Sequence, residues 1–330
     1  MILIDALYIN SFGGKSILEL LVKRILGREV KYHFIFDSRL KSNLIQKIKS
    51  SDYTFVEASH KKRKEFYLRR INNFSCILCL SNVPPPIQTS VKTYIYFHNI
   101  LLLKPLHWPI HIKNRVINLL KIFYIKNYNK ESYNWIVQTS HTRKLLLESI
   151  KIKNDRIHTY PILPKKNILV NQINKSKNFV YISSSVSHKN HERLLNAFIL
   201  AANKTIKQIK LHLTLDEGKL SKKIYPNNLK IECHGTLSED GVNELYNSNE
   251  FVIYPSLVES FGLPLIEAAN HGCKVVASNL PYVHEIIVPS LTFNPYSVES
   301  ISQSILKALE SENLPETKVL VENKLDNFID

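Results

Sequence analysis

The chain has 330 residues, 44% of them hydrophobic and 22% charged, with 44 Lys+Arg against 28 Asp+Glu for a formal net charge of +16. That composition excludes a disordered, collagenous or disulfide-scaffold chain, and no apolar run reaches the ~20 residues needed to cross a bilayer. The length exceeds what one hydrophobic core usually serves, so two domains are expected.

Short β-rich runs alternate with amphipathic stretches, the signature of parallel α/β sheets. In the first half, strands are expected at 1–5, 30–36, 54–56, 76–80, 93–97 and 135–138, and helices at 15–26, 41–49, 62–71, 113–128 and 140–149. Pro161 and Pro164 interrupt this rhythm, and the polar residues after them read as a linker. A second series follows. Strands are expected at 178–182, 210–214, 229–232, 251–254 and 274–277, and helices at 190–203, 239–247, from Pro264, and at 298–310. The division is therefore an N-terminal domain over 1–165, a linker over 166–177 and a C-terminal domain over 178–330. Neither half holds a G-x-G-x-x-G or a P-loop. The fold expected is α/β, two Rossmann-like domains facing across a cleft, with ligands at the carboxyl ends of the strands.

Charge divides at nearly the same place. Residues 1–170 carry 29 Lys+Arg and 10 Asp+Glu, and the remainder carries 15 and 18, so the basic excess belongs to the first half. It clusters at Lys61, Lys62, Arg63 and Lys64 with Arg69 and Arg70, and recurs with aromatic residues between Lys104 and Lys130. Such a face suits an anionic surface, each basic residue adding about 1 kcal/mol of attraction to anionic lipid. Cys76 and Cys79 have redox or zinc spacing, but they sit in an apolar run with no second pair, so two buried strand thiols are expected. No metal site is expected.

The densest chemical signal runs from Tyr254 to Ala269. A strand end, a loop containing Gly262, and Pro264 at the expected first turn of a helix place backbone N–H groups as an anion site. Glu259 lies in the loop and Glu267 one turn into the helix, so two carboxylates can address two parts of one ligand. Taken singly, Glu267 reads as a solvated first-turn residue and Glu259 as an exposed loop residue.

With the flanking Phe261-Gly262-Leu263-Pro264, this constellation resembles the Glu-x7-Glu signature of retaining glycosyltransferases of family 4, which have the GT-B fold. The resemblance continues in Phe179 to Ser183, His188-Lys189-Asn190, His234-Gly235, Gly272, Val275 to Ala277 and Glu285. In the first half it rests on Gly13-Gly14, His98-Asn99 and Gln138-Thr139.

The resemblance implies that Glu267 hydrogen-bonds the donor ribose and that Glu259 meets the donor sugar near the reacting centre. Phe261, Gly262 and Leu263 would offer backbone N–H groups, and Lys189 would neutralise the departing diphosphate. Gly13 and Gly14 would let the first loop approach that phosphate, and His98 would bind the sugar from the opposite wall. Many family members carry an Arg six residues before the lysine, where this chain has Ser183.

The resemblance further implies transfer from a nucleotide-sugar donor, UDP-sugar favoured, with retention of configuration. The acceptor would be a polyprenyl-diphosphate-linked glycan in O-antigen, lipopolysaccharide or capsule biosynthesis. No Asp-x-Asp occurs, so no metal and no cofactor are expected. The site would be cytoplasmic and peripheral on the anionic inner membrane, with no nucleic-acid partner. The rival readings are another sugar-nucleotide enzyme such as an epimerase, which needs no acceptor, and a basic nucleic-acid-binding protein, which steeply salt-dependent retention would reveal.

Overall fold

The computed structural model describes residues 1–10, 12–26, 29–41, 43–103, 112–163, 175–221 and 223–324. It divides into two compact units, Met1–Leu163 with Glu322–Asp330, and Pro164–Val321.

The first unit begins with β1 (Ile2–Ala6), α1 (Phe12–Ile25), β2 (Tyr32–Asp37), β3 (Tyr53–Val56), α2 (His60–Arg70), β4 (Cys76–Cys79) and β5 (Lys92–Tyr96). It continues with α3 (Ile112–Tyr128), β6 (Asn134–Val137), α4 (Ser140–Ser149) and β7 (Ile157–Thr159). The strands form one sheet in the order β3-β2-β1-β4-β5-β6-β7, and every pairing is parallel. Ser59 and Thr139 start α2 and α4 by accepting the backbone N–H three residues on, which satisfies an N–H that the helix cannot.

The segment 41–49 is not the helix expected. It forms a single 3-10 turn over Asn43–Lys47, followed by another at Ser50–Asp52. Ser and Asn side chains compete with the backbone there, and Ser50-Ser51-Asp52 offers nothing to prolong a helix. The short strand β7 was not expected; it holds three residues, too few to show a period.

The second unit runs β8 (Ser176–Tyr181), α5 (His191–Ala202), β9 (Ile209–Leu213), β10 (Leu229–Cys233), α6 (Glu239–Ser248), β11 (Asn249–Tyr254) and α7 (Leu263–Asn270). It closes with β12 (Lys274–Ser278), α8 (Pro281–Ile286), β13 (Ile287–Val288), β14 (Leu291–Phe293), α9 (Val298–Glu310) and β15 (Lys318–Val319). β8 begins two residues inside the segment read as linker. The main sheet is again parallel, in the order β10-β9-β8-β11-β12-β14.

Helical spacing explains the layers. Leu194, Leu195, Ala197, Phe198 and Ala201 of α5 are buried, as are Ile301, Ile305, Ala308 and Leu309 of α9. Each set forms one apolar stripe against the sheet, while polar residues take the other face. After β15 the chain returns to the first unit, where Lys324 N–H donates to Pro161 O at 3.0 Å.

Both sheets reverse their winding between the first strand and its fourth neighbour, β1 beside β4 and β8 beside β11. In open parallel sheets that reversal opens a crevice at the strands' carboxyl ends. The candidate site residues gather there in each unit.

Candidate active site

In the second unit, the loop after β8 carries Lys189 and the loop after β11 carries Glu259. Lys189 Nζ donates to Glu259 Oε1 at 2.5 Å, and both side chains are only 13% exposed. Tyr254 OH donates to the same oxygen at 3.0 Å, and the Lys189 ammonium lies 5.5 Å from the Tyr254 ring centroid. Burial works to push the Glu259 carboxyl up, but the charge and hydrogen bond of Lys189 outweigh it, and the group sits below its ordinary value. The loop residue is therefore an ionised, half-buried carboxylate rather than a solvated one.

The backbone around the pair is fixed from below. Tyr181 OH donates to Lys189 O at 2.9 Å and shares a 3.0 Å hydrogen bond with Ser256 Oγ. Leu257 N–H donates to His188 O at 2.8 Å, tying the two loops together. Asn190, at φ +63°, turns into α5, and its Nδ2 donates to Pro255 O and Pro295 O. Asn tolerates that left-handed conformation better than most residues. Sequence reading passed over Tyr181 and Tyr254 as strand residues; their hydroxyls at the carboxyl ends of β8 and β11 were the available signal.

Glu267 behaves oppositely. It lies in α7, half-buried, with Tyr246 OH donating to Oε2 at 3.4 Å. Burial raises its carboxyl to about 7, against the hydrogen bond from Tyr246 and helped slightly by Glu239. The two glutamates of the motif thus rest in different protonation regimes, one held charged and one poised near neutrality.

Gly262 caps α7 at φ +90°, and a Cβ there would come 3.2 Å from Leu265 Cδ1. Glycine is required by both the conformation and the approach. The anion site expected at this turn is narrower than its first four residues suggest: Pro264 has no N–H, and that of Leu265 already donates to Gly262 O. The amides of Phe261, Gly262 and Leu263 remain its candidates. The Phe261 side chain is buried and serves the core.

Ser183, where relatives of the resembled family carry Arg, pairs its hydroxyl with His191 Nε2 at 2.8 Å. Burial, with Lys189 and His188 nearby, pushes His191 down to about 4, so this pair brings no positive charge at neutral pH.

In the first unit, His98 follows β5, and its Nε2 donates to Leu80 O at 2.8 Å. Its backbone N–H donates to Asn82 Oδ1 at 2.6 Å. Burial lowers the imidazole to about 4, so the ring is neutral, with its proton on the nitrogen that faces the carbonyl. Gly13 and Gly14 do not lie in a loop; they occupy the first turn of α1. A Cβ on Gly14 would stand 3.3 Å from His98 Cε1, whereas Gly13 faces open space. Gly14 therefore admits the His98 ring. Tyr8, at φ +76° after β1, and Asn82, at φ +67° after β4, mark the same end of the sheet and were not singled out from sequence.

The basic cluster needs one correction. Lys61, Lys62, Lys64, Arg69 and Arg70 are exposed, but Arg63 is 1% exposed. Its Nε donates to Asp5 Oδ2 at 2.8 Å and its Nη1 to Pro84 O at 2.8 Å, while Tyr67 OH donates to Asp5 at 2.6 Å. Arg63 sits four residues before Tyr67 on the face of α2 that meets the sheet, so it belongs to the core and not to a surface patch. Residues 104–111 of the second basic cluster lie outside the described residues. Cys76 and Cys79 are strand thiols in β4, three positions apart and so on opposite faces.

Two Rossmann-like units with all-parallel main sheets, each with polar groups gathered at its winding reversal, define a GT-B protein. Residues 165–324 match the family model described as glycosyl transferases group 1. The chain is 38% identical over 79 residues to the serotype-specific mannosyltransferase WbdA of Escherichia coli, which covers 24% of this chain and 10% of that protein. It is 26% identical over 246 residues to the O-antigen chain mannosyltransferase RfbU of Salmonella typhimurium, covering 67% of this chain and 68% of that one. The match thus spans a tenth of WbdA and about two thirds of RfbU. Among solved structures, Anabaena HepE in complex with UDP and glucose superimposes with a TM-score of 0.66 at 12% identity, over 94% of this chain and 90% of that one. A glycosyltransferase from Rickettsia africae gives 0.64 at 17% identity, over 93% and 87%.

Proposed function

We propose that this protein transfers a sugar from a nucleotide-sugar donor to a lipid-linked glycan acceptor, with retention of configuration, in the assembly of an O-antigen or capsule. The observation that carries the proposal is the ionised Glu259 held by Lys189 at the carboxyl ends of β8 and β11, with Glu267, whose carboxyl is raised by burial, following in α7. Glycosyl transfer needs a diphosphate stabilised as it leaves and an electron-poor sugar held against an acceptor hydroxyl. Lys189, released from Glu259 when the donor arrives, would meet the diphosphate, with the Phe261–Leu263 amides beside it. Glu259 would then face the positive charge that develops on the sugar, and Glu267, titrating at about 7 and so part-protonated, would share a proton with the ribose hydroxyls. His98, neutral and with its proton turned to Leu80 O, would offer only Nδ1, as an acceptor.

A UDP-sugar is our favoured donor, in line with the UDP bound in the HepE complex, with a GDP-sugar as the control. No metal or cofactor is required by this reading. Incorporation of labelled sugar into a lipid-extractable fraction tests it, with Glu267→Ala and Lys189→Ala each reducing incorporation at least 100-fold. Conversion of the nucleotide sugar without acceptor would instead indicate an epimerase.

The acceptor is proposed to reach the protein from an anionic membrane. No helix among the described residues is long and apolar enough to cross one. α3, however, exposes Ile112, Val116, Leu119, Leu120 and Phe123 at helical spacing, by 72%, 53%, 43%, 65% and 65%, on a helix that also carries Lys113, Lys121 and Lys126. An apolar stripe with basic residues on one helix suits an interfacial site. Phe123→Glu with Leu120→Glu is expected to cut binding to phosphatidylglycerol vesicles at least 10-fold, and unchanged cosedimentation would remove the membrane from the account.

A further inference from the structure

β10 is the edge strand of the second sheet, two strands away from β8, and it plays no part in the chemistry proposed above. Glu232 of β10 stands directly opposite His212 of β9 in the parallel register. His234 follows two residues later on the Glu232 side, so all three side chains leave the same face of the sheet. Their donor atoms lie within 4.8 Å of one another. His212 Nδ1 is 2.9 Å from His234 Nε2 and 3.2 Å from Glu232 Oε2.

Two acceptors therefore converge on one ring nitrogen. Whichever nitrogen carries the proton, Nδ1 of His212 or Nε2 of His234, a single N–H is shared among three atoms and serves at most two acceptors. The carboxylate is also divided: Oε1 takes Lys230 at 2.7 Å and Lys210 at 3.2 Å, leaving Oε2 toward the imidazoles. The two rings lie side by side, with centroids 5.2 Å apart and planes 25° apart. His212 is 7% exposed, while Glu232 and His234 are less buried and leave the cluster open to water on their side.

We propose that His212, Glu232 and His234 form a site for a borderline divalent cation of the zinc class, with water as the fourth ligand. Two imidazoles and one carboxylate are the donor set such ions take, at metal–nitrogen distances near 2.0–2.1 Å. Tetrahedral ligation asks the nitrogens to stand ~3.3 Å apart, so the ion needs to open the 2.9 Å pair by only about 0.4 Å. The proton between the rings moves to the outer nitrogen of whichever ring carries it, which frees both inner nitrogens as ligands. Lys210 and Lys230 oppose the added charge, which sets a moderate affinity rather than a buried permanent centre. The ion pins the edge strand β10 to β9 just before Gly235, where the chain turns at φ +63°.

The test is calorimetric titration of the chelator-treated full chain with Zn²⁺, alongside His212→Ala, His234→Ala, Glu232→Gln and Cys233→Ser. The wild type and Cys233→Ser are expected to bind one equivalent that each of the other variants binds at least 10-fold more weakly. Circular dichroism confirms that Glu232→Gln, the mildest change, retains the fold. Equal zinc affinity in wild type and Glu232→Gln, no saturable equivalent in the wild type, or loss of it in Cys233→Ser would each overturn the proposal.

Discussion

Replacing Lys189 by Met leaves the Glu259 carboxyl 13% exposed with no cation beside it. Removing one partner of a buried ion pair costs about 3–5 kcal/mol, and the residual exposure here brings the expectation to roughly 2–4 kcal/mol. For a unit of this size that corresponds to a fall in Tm of about 5–10 °C by scanning calorimetry. The pH dependence supplies the sharper test. In the wild type the Glu259 carboxyl lies below its ordinary value, so its contribution is present above the unfolded pKa of about 4.3 and is lost as pH falls through the folded value. Without Lys189, burial is the dominant influence and the shift reverses. The contribution is then present at low pH and lost as pH rises, so the deficit of Lys189→Met grows between pH 4 and 7. Lys189→Met combined with Glu259→Gln removes the orphaned charge and recovers most of the loss. A single variant within ~0.5 kcal/mol of wild type, or a double variant no better than the single, would refute the assignment of Glu259 as an ion held charged by Lys189.

Three further outcomes follow from the geometry. Glu267 titrates at about 7 in the folded chain, so its favourable contribution is complete below the unfolded pKa and disappears as pH rises through 7; Glu267→Gln should melt higher than wild type at pH 8 and equally at pH 4. Gly262→Ala forces a side chain into φ +90° and toward Leu265, and should lower stability by roughly 1–2 kcal/mol in urea unfolding. Arg63→Met strands the Asp5 carboxylate in the core and should cost about 3–5 kcal/mol, whereas Lys61→Ala and Lys64→Ala, both exposed, should stay within ~0.5 kcal/mol; equal effects at all three positions would contradict the burial of Arg63.

Most strands were legible because parallel central strands are buried on both faces and read as short apolar runs. The elements that escaped are those too short to show a period, β7 and α8 among them. The glutamate motif was legible as a pattern, but its division into a charged and a near-neutral member was not. That division depends on Lys189, 70 residues before Glu259, and on the Tyr246 hydroxyl, which only the fold brings to Glu267. Arg63 was misread for the same reason. Its neighbours Lys61, Lys62 and Lys64 announce a surface, while the partner that buries it, Asp5, lies 58 residues away. The glycines after β1 were recognised as places of close approach, yet what approaches Gly14 within the unit is the His98 ring.

The central claim is that the carboxyl end of the second sheet binds a nucleotide sugar through Lys189 and Glu267. Thermal denaturation of the full chain against UDP, GDP and their hexose conjugates tests it most directly, since a ligand of the folded state raises Tm by mass action. At least one nucleotide sugar is expected to raise the Tm of the wild type and to leave Lys189→Ala and Glu267→Ala unmoved. No response to any of them, or equal responses in wild type and both variants, would contradict it.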